Sequence, residues 1–378
     1  KKGLRLLTPA ALDRFISAAL DKTIQRPKSA ASFLSLESRQ GRDTFAELQV
    51  AVTLHELEAQ LNRYLGARTG LQVWVRPLSA LDGRLSPISA TEVTACTDGR
   101  FIYLPEEIAF FGQKKANTDL YRCLARFESG HHEFGTFDFD LERLFDRCQA
   151  LTDCRCALDG LRIPLVSDRP TTMASDLERF LDLFPLPVLA ADLFTVFEHG
   201  RIRRMLGRRY PGLVRSFLPI LQREAGPSHG LMDDLYAVIA LGLPPSSASG
   251  PGDVRHHLVK DMLAQFVGRT EAGDCRVESS GELVVLAYRE VANTLTEHAS
   301  DHLTGQAYHP LQTPFDRRLR SDLVHAARQA LDQKALAIKE RLAEKGFRIY
   351  RADLRKHLEA HQGLVCADDL AAVLENAS

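Results

Sequence analysis

The chain has 378 residues, 45% of them hydrophobic and 26% charged, enough to bury one large core or two ordinary ones without metal or disulfide staples. With 48 Lys plus Arg against 49 Asp plus Glu, the formal net charge is -1, so no global field draws it to nucleic acid or to an anionic membrane. No run reaches the roughly 18 apolar residues of a membrane-spanning helix, and Lys1-Lys2-Gly3-Leu4 lacks the apolar core of a signal peptide. Seven cysteines, an odd number scattered from Cys96 to Cys366, do not form a secreted disulfide framework. A cytoplasmic location is expected.

Early in the chain, Leu54, Leu57, Leu61 and Leu65 step by three, four and four and stop at Gly66, which predicts a helix from about Asp43 to Leu65. Leu71 to Arg76 alternates apolar and polar residues and includes a tryptophan and two valines, the pattern of a strand. Phe101 to Leu104, closed by Pro105, predicts a second. Pro77 to Arg100 reads as a loop or a weak hairpin.

From Asn117 onward helical spacing predicts helices near 117–133, 175–183, 188–207, 253–267, 281–300, 316–346, 351–361 and 367–376. The expected fold class is mainly α, a multi-helix domain with a small β-sheet. Proline and glycine between Gly242 and Gly252 exclude regular structure, which suggests residues 1–241 as a helical domain, 242–252 as a flexible loop, and 253–378 as a helical C-terminal region that can belong to the same domain.

The most informative stretch runs from Tyr121 to Phe137 and contains Phe127-Glu128-Ser129-Gly130-His131-His132. In the zinc metallopeptidase motif H-E-x-x-H, two histidines one turn apart hold the metal and the glutamate activates the bound water. Here Glu128 stands at the base position and His131 at the second ligand, but Phe127 replaces the first ligand and cannot bind metal. Leu120, Leu124, Phe127 and His131 share one helical face, so His131 also reads as a core histidine with a hydrogen-bond partner. Glu198 shares an apolar face with Phe194, Ile202 and Met205. A carboxylate there needs a partner: an ion pair with Arg201 or the arginines beyond it, or a metal as the third ligand of a gluzincin-type site.

Arg201, Arg203, Arg204, Arg208 and Arg209 place five positive charges within nine positions. Without interleaved aromatics for base stacking, the cluster suggests a protein-binding surface more than a nucleic-acid one. The H-x-x-D-H spacing of His298 to His302 reads as a solvated face, and Cys148, Cys154 and Cys156 lack the paired C-x2-C knuckles of a zinc ribbon. No phosphate loop, dinucleotide fingerprint or nucleophile elbow occurs.

The glycine-histidine pair running into Glu133-Phe134-Gly135-Thr136-Phe137, the later Glu198-x-x-Arg201-Ile202, and Arg208-Arg209-Tyr210-Pro211-Gly212-Leu213 together resemble the N-terminal region of the NorD/CbbO proteins, over about residues 100 to 215. Those proteins are activation factors for nitric oxide reductase and for Rubisco. They work with a MoxR-type AAA+ ATPase of the NorQ or CbbQ type and continue into a C-terminal von Willebrand factor A domain, whose D-x-S-x-S motif does not occur in these residues. Phe127 stands where the family has a polar residue, and Glu198-His199 where it has Glu-Asp. The resemblance implies a chaperone-like, cytoplasmic adaptor with a degenerate, pseudo-metallopeptidase helix pair, which remodels a target metalloenzyme and needs no cofactor and no enzymatic activity of its own. The alternative is a gluzincin-type zinc hydrolase using His131, His132 and Glu198 as ligands and Glu128 as base.

Overall fold

The computed structural model describes residues 7, 9–25, 27–69, 73–81, 95–161, 175–224, 230–245, 254–271, 275–297, 308–317, 319–344 and 350–360. The fold is mainly helical, with two small sheets. Three helices, α1 (Pro9–Gln25), α2 (Pro27–Leu34) and α3 (Arg39–Leu48), open the chain around a small core of their own. Its centre is the stacked pair Phe15 and Phe33, with ring centroids 5.1 Å apart.

The helix expected from Asp43 to Leu65 is broken. At Gln49 the backbone turns extended (φ -72, ψ 106), and Val52–Thr53 forms β1 before α4 (Leu54–Thr69) begins. The β-branched pair gives up helix for antiparallel pairing with β5 (Glu107–Ile108), and the Leu54 amide donates to the Glu106 carbonyl at 2.8 Å. In the second sheet, β4 (Phe101–Leu104) lies between β2 (Trp74–Pro77), which runs parallel to it, and β3 (Cys96–Thr97), which runs antiparallel. β2 begins later than the alternation suggests and keeps the period of two, with Trp74 and Arg76 outward and Val75 buried opposite Ile102. The expected loop from Pro77 to Arg100 therefore carries a 3-10 turn (Leu78–Leu81) and β3.

The helical body follows: α5 (Lys114–Glu133), α6 (Leu141–Ala150), α7 (Thr152–Leu161), α8 (Asp176–Leu181), α9 (Pro187–Arg209), α10 (Pro211–Arg223), the short α11 (Leu231–Leu235) with its π-turn extension (Tyr236–Ala240), α12 (Val254–Glu271), α13 (Val277–Glu297), α14 (Ser321–Glu344) and α15 (Arg351–Ala360). The expected helix at 367–376 and the His298 to His302 stretch lie outside the described residues, as does 246–252 of the proposed loop. Helices α1, α2, α6, α7, α10 and α11 lie outside the segments that helical spacing predicts.

α9 is the axis of the body. It is buried around its whole circumference from Leu189 to Ile202, apart from the part-covered Ala191, and it packs against α5, α8, α10, α11 and α13. α13 crosses the gap in sequence to lie along it, so helices on both sides of residues 242–252 share one core. α6 is clamped to α13 by Arg143 with Glu278 and by Arg147 with Glu282, both carboxylates fully buried.

Two glycines set the helix spacings. A Cβ on Gly130 of α5 would stand 2.7 Å from Ile202 of α9, and one on Gly200 would stand 2.8 Å from Ile239 and Phe266 and 2.9 Å from the Ile239 carbonyl oxygen. Gly207, farther along α9, meets nothing within 4 Å. Gly200→Ala should therefore lose about 1–3 kcal/mol to overpacking, whereas Gly207→Ala should be neutral or gain up to about 1 kcal/mol of helix propensity. Denaturant unfolding of the two variants checks this, and equal effects would contradict the packing.

Candidate functional site

Where α5 ends, Gly135 takes a left-handed conformation (φ +67) and reverses the chain into a 3-10 turn that brings Thr136 back beside α9. The Thr136 hydroxyl donates to Glu198 Oε1 in a short hydrogen bond, and it stands 3.0 Å from His131 Nδ1. The hydroxyl has one proton, so His131 must donate from Nδ1. His131 and Glu198 thus face one another through a single threonine, as their positions on two apolar faces require.

Glu198 is completely buried and completely satisfied. Arg201 Nη2 donates to Oε1 at 2.6 Å, Arg201 Nε to Oε2 at 2.7 Å, and Ser280 of α13 to Oε2 at 2.8 Å. Arg201, 1% exposed, directs two further donors to the carbonyls of Cys275 and Phe134, each at 3.0 Å. Burial acts to raise the Glu198 carboxyl, but the Arg201 charge and these hydrogen bonds outweigh it and hold the group below the usual carboxylate value.

Beside this pair is a second cluster. Phe127 is 1% exposed, with His199 at 5.2 Å and His131 at 5.9 Å between ring centroids, and the Arg317 guanidinium lies 4.1 Å from the Phe127 centroid. His199 Nδ1 meets Tyr236 Oη at 2.9 Å, and Arg317 Nη2 donates to the same oxygen at 2.9 Å. Glu128 is 3% exposed and makes no hydrogen bond or ion pair among the described residues. Burial pushes its carboxyl up to about 8, opposed in part by Arg317. Burial also lowers the imidazoles: His131 to about 3, His132 to about 4, and His199 well below its ordinary value.

The donors expected for zinc do not converge. Phe127 fills the place of the first ligand, Glu198 is taken by Arg201, and His132 points to β3, where its Nε2 lies 2.7 Å from Thr97 Oγ1. Among the described residues no three His, Cys, Asp or Glu side chains are placed to hold a metal ion. A gluzincin-type zinc therefore does not fit this arrangement.

The arginine cluster also needs correction, since it is not one exposed face. Arg201 belongs to the core, and the half-buried Arg203 donates to the Ile239 carbonyl at 3.2 Å. Arg204 pairs with Glu271 at 3.0 Å and Arg208 donates to the Thr270 carbonyl at 3.0 Å, both on α12. Only Arg208 and Arg209 are exposed, and Arg209 lies 3.2 Å from Glu133. Glu133 also accepts from the buried Arg126 at 2.8 Å and from Tyr210 at 2.8 Å, a network that sequence reasoning missed. Thr136 and Glu133 lay within the stretch singled out by resemblance, but Arg317, Tyr236 and Ser280 arrive from distant segments with no local signal.

The chain matches no family model, no curated protein and no solved structure.

The shifted groups predict how stability depends on pH. Between pH 6.5 and about 4.5 the unfolded chain takes up protons on His131, His132 and His199 that the folded chain refuses, so stability falls with pH by about 1.4 kcal/mol per unit per net proton. Glu128 acts in the opposite sense: protonated when folded below pH about 8 and ionised when unfolded above 4.5, it adds stability as pH drops through that window. Glu128→Gln should therefore steepen the loss below pH 6.5 and flatten the decline from 6.5 to 8. Unfolding free energies measured across pH 4.5–8.5 test this, and superimposable profiles would contradict it.

Proposed function

We propose that this protein is a non-catalytic adaptor of the NorD/CbbO type, which docks on a MoxR-type AAA+ ATPase and on a target metalloenzyme. The reading rests on the residues of the resemblance and draws support from one observation above all. The carboxylate that a gluzincin-type enzyme would offer to its metal is here neutralised by the protein's own Arg201, next to a phenylalanine at the first ligand position. Those features suit a helix pair kept for its shape and not for hydrolysis. The zinc-hydrolase reading would require Glu198 to leave four hydrogen bonds and a buried guanidinium, and breaking a buried pair by removing one partner typically costs about 3–5 kcal/mol.

Arg208 and Arg209 close α9 with exposed positive charge, where they also complement the negative end of the helix dipole. They are the members of the arginine cluster suited to meet an acidic patch on a partner. Co-expression with NorQ-type and CbbQ-type ATPases should give co-purification and a change in ATP hydrolysis rate. Arg208→Glu with Arg209→Glu should weaken both; because the change also removes the Arg209–Glu133 pair and the Arg208–Thr270 hydrogen bond, a stability loss of about 1–3 kcal/mol is expected, and Arg208→Gln with Arg209→Gln, which avoids the reversed charge, should weaken binding in a chain that remains folded. Absence of binding to either ATPase, together with zinc-dependent peptidase activity, would overturn the proposal.

A further inference from the structure

Arg317 is the least compensated charge in the described core. It is 1% exposed, Nε donates to the Pro314 carbonyl at 3.3 Å, Nη2 donates to Tyr236, and Nη1 is buried with no acceptor. No described carboxylate forms an ion pair with it. A guanidinium keeps its charge, and a buried charge without a counter-charge is costly.

The direction of the hydrogen bonds identifies what is missing. Arg317 can only donate, so Tyr236 Oη accepts from it, and the phenol proton goes to the other partner of that oxygen, His199 Nδ1. A neutral imidazole that accepts at Nδ1 carries its proton on Nε2, and His199 Nε2 is also buried with no acceptor. Burial and the nearby Arg317 and His131 keep this imidazole neutral, and Glu128, the carboxyl whose field reaches Arg317, makes no hydrogen bond or ion pair with it among the described residues, so it answers neither N–H. Two unanswered N–H donors and one fixed positive charge therefore surround the same Phe127 ring. A water molecule would answer the donors and leave the charge, whereas an anion answers both.

We infer that this cluster is a buried binding site for a small monovalent anion, held by Arg317 Nη1 and His199 Nε2 beside Phe127. The site is independent of the adaptor reading, because it uses none of the residues assigned to partner binding. Its probe is bromide. Crystals of the full chain grown in sodium bromide should show an anomalous scattering peak within hydrogen-bond distance of both nitrogens. In solution, bromide should raise the thermal midpoint at constant ionic strength, with apparent affinity at least about tenfold weaker in Arg317→Met, as expected on losing a charge-assisted hydrogen bond. Glu128→Gln should retain the effect, which distinguishes an anion from a bound cation. The absence of an anomalous peak at saturating bromide would overturn the proposal, and this measurement needs no variant to fold. Equal stabilisation of wild type and Arg317→Met would overturn it as well.

Discussion

Glu198 and Arg201 stand one turn apart on α9, the helix at the centre of the body, and both side chains are buried. Taking a carboxylate and a guanidinium out of water is tolerable only when nearly every lone pair and proton is answered. Here the answers come from four places: Thr136 after α5, the Phe134 carbonyl, the Cys275 carbonyl before α13, and Ser280 within α13. The pair thus ties the end of α5 and the start of α13 to α9. The close approach of α5 at Gly130 and of the π turn and α12 at Gly200 completes the same centre.

This constraint shapes the chemistry available around it. Three imidazoles whose protonation burial disfavours, the Glu128 carboxyl whose ionisation burial disfavours, and the guanidinia of Arg201 and Arg317 give a polar centre whose charges come from the protein itself. Where a metallopeptidase would offer converging lone pairs to a cation, this centre offers N–H donors around Phe127. That polarity underlies the anion site proposed at the Arg317 cluster, while Glu198, held by four hydrogen bonds, ties neighbouring segments to α9.

Much of this centre was legible in the sequence and part of it was not. The positions of α5 and α9 follow from local spacing, and the need of Glu198 for a partner follows from a carboxylate among Phe194, Ile202 and Met205. Spacing underestimated the burial of α9, because a helix enclosed on every side has no polar face to display. α6 went unseen for a related reason: Leu141, Leu144 and Cys148 step correctly, but a cysteine reads as a ligand before it reads as core. α1 presents Ala11, Phe15 and Ala19, a face too small in apolar area to stand out. β1 exists through pairing with residues more than fifty positions away, and Arg317 reaches Phe127 across a still longer separation, so no local pattern could announce either.

If the Glu198–Arg201 pair is the structural tie between α5, α9 and α13, the unfolding free energy of Arg201→Met shows it most directly. Leaving Glu198 buried without its guanidinium should cost about 3–5 kcal/mol, and adding Glu198→Leu should recover much of the loss, because a buried pair replaced by apolar side chains of similar volume is often near neutral. If Arg201→Met were instead as stable as the wild type, with Glu198 and His131 then taking up one zinc per chain, the carboxylate would be a metal ligand held in reserve and the account would be wrong.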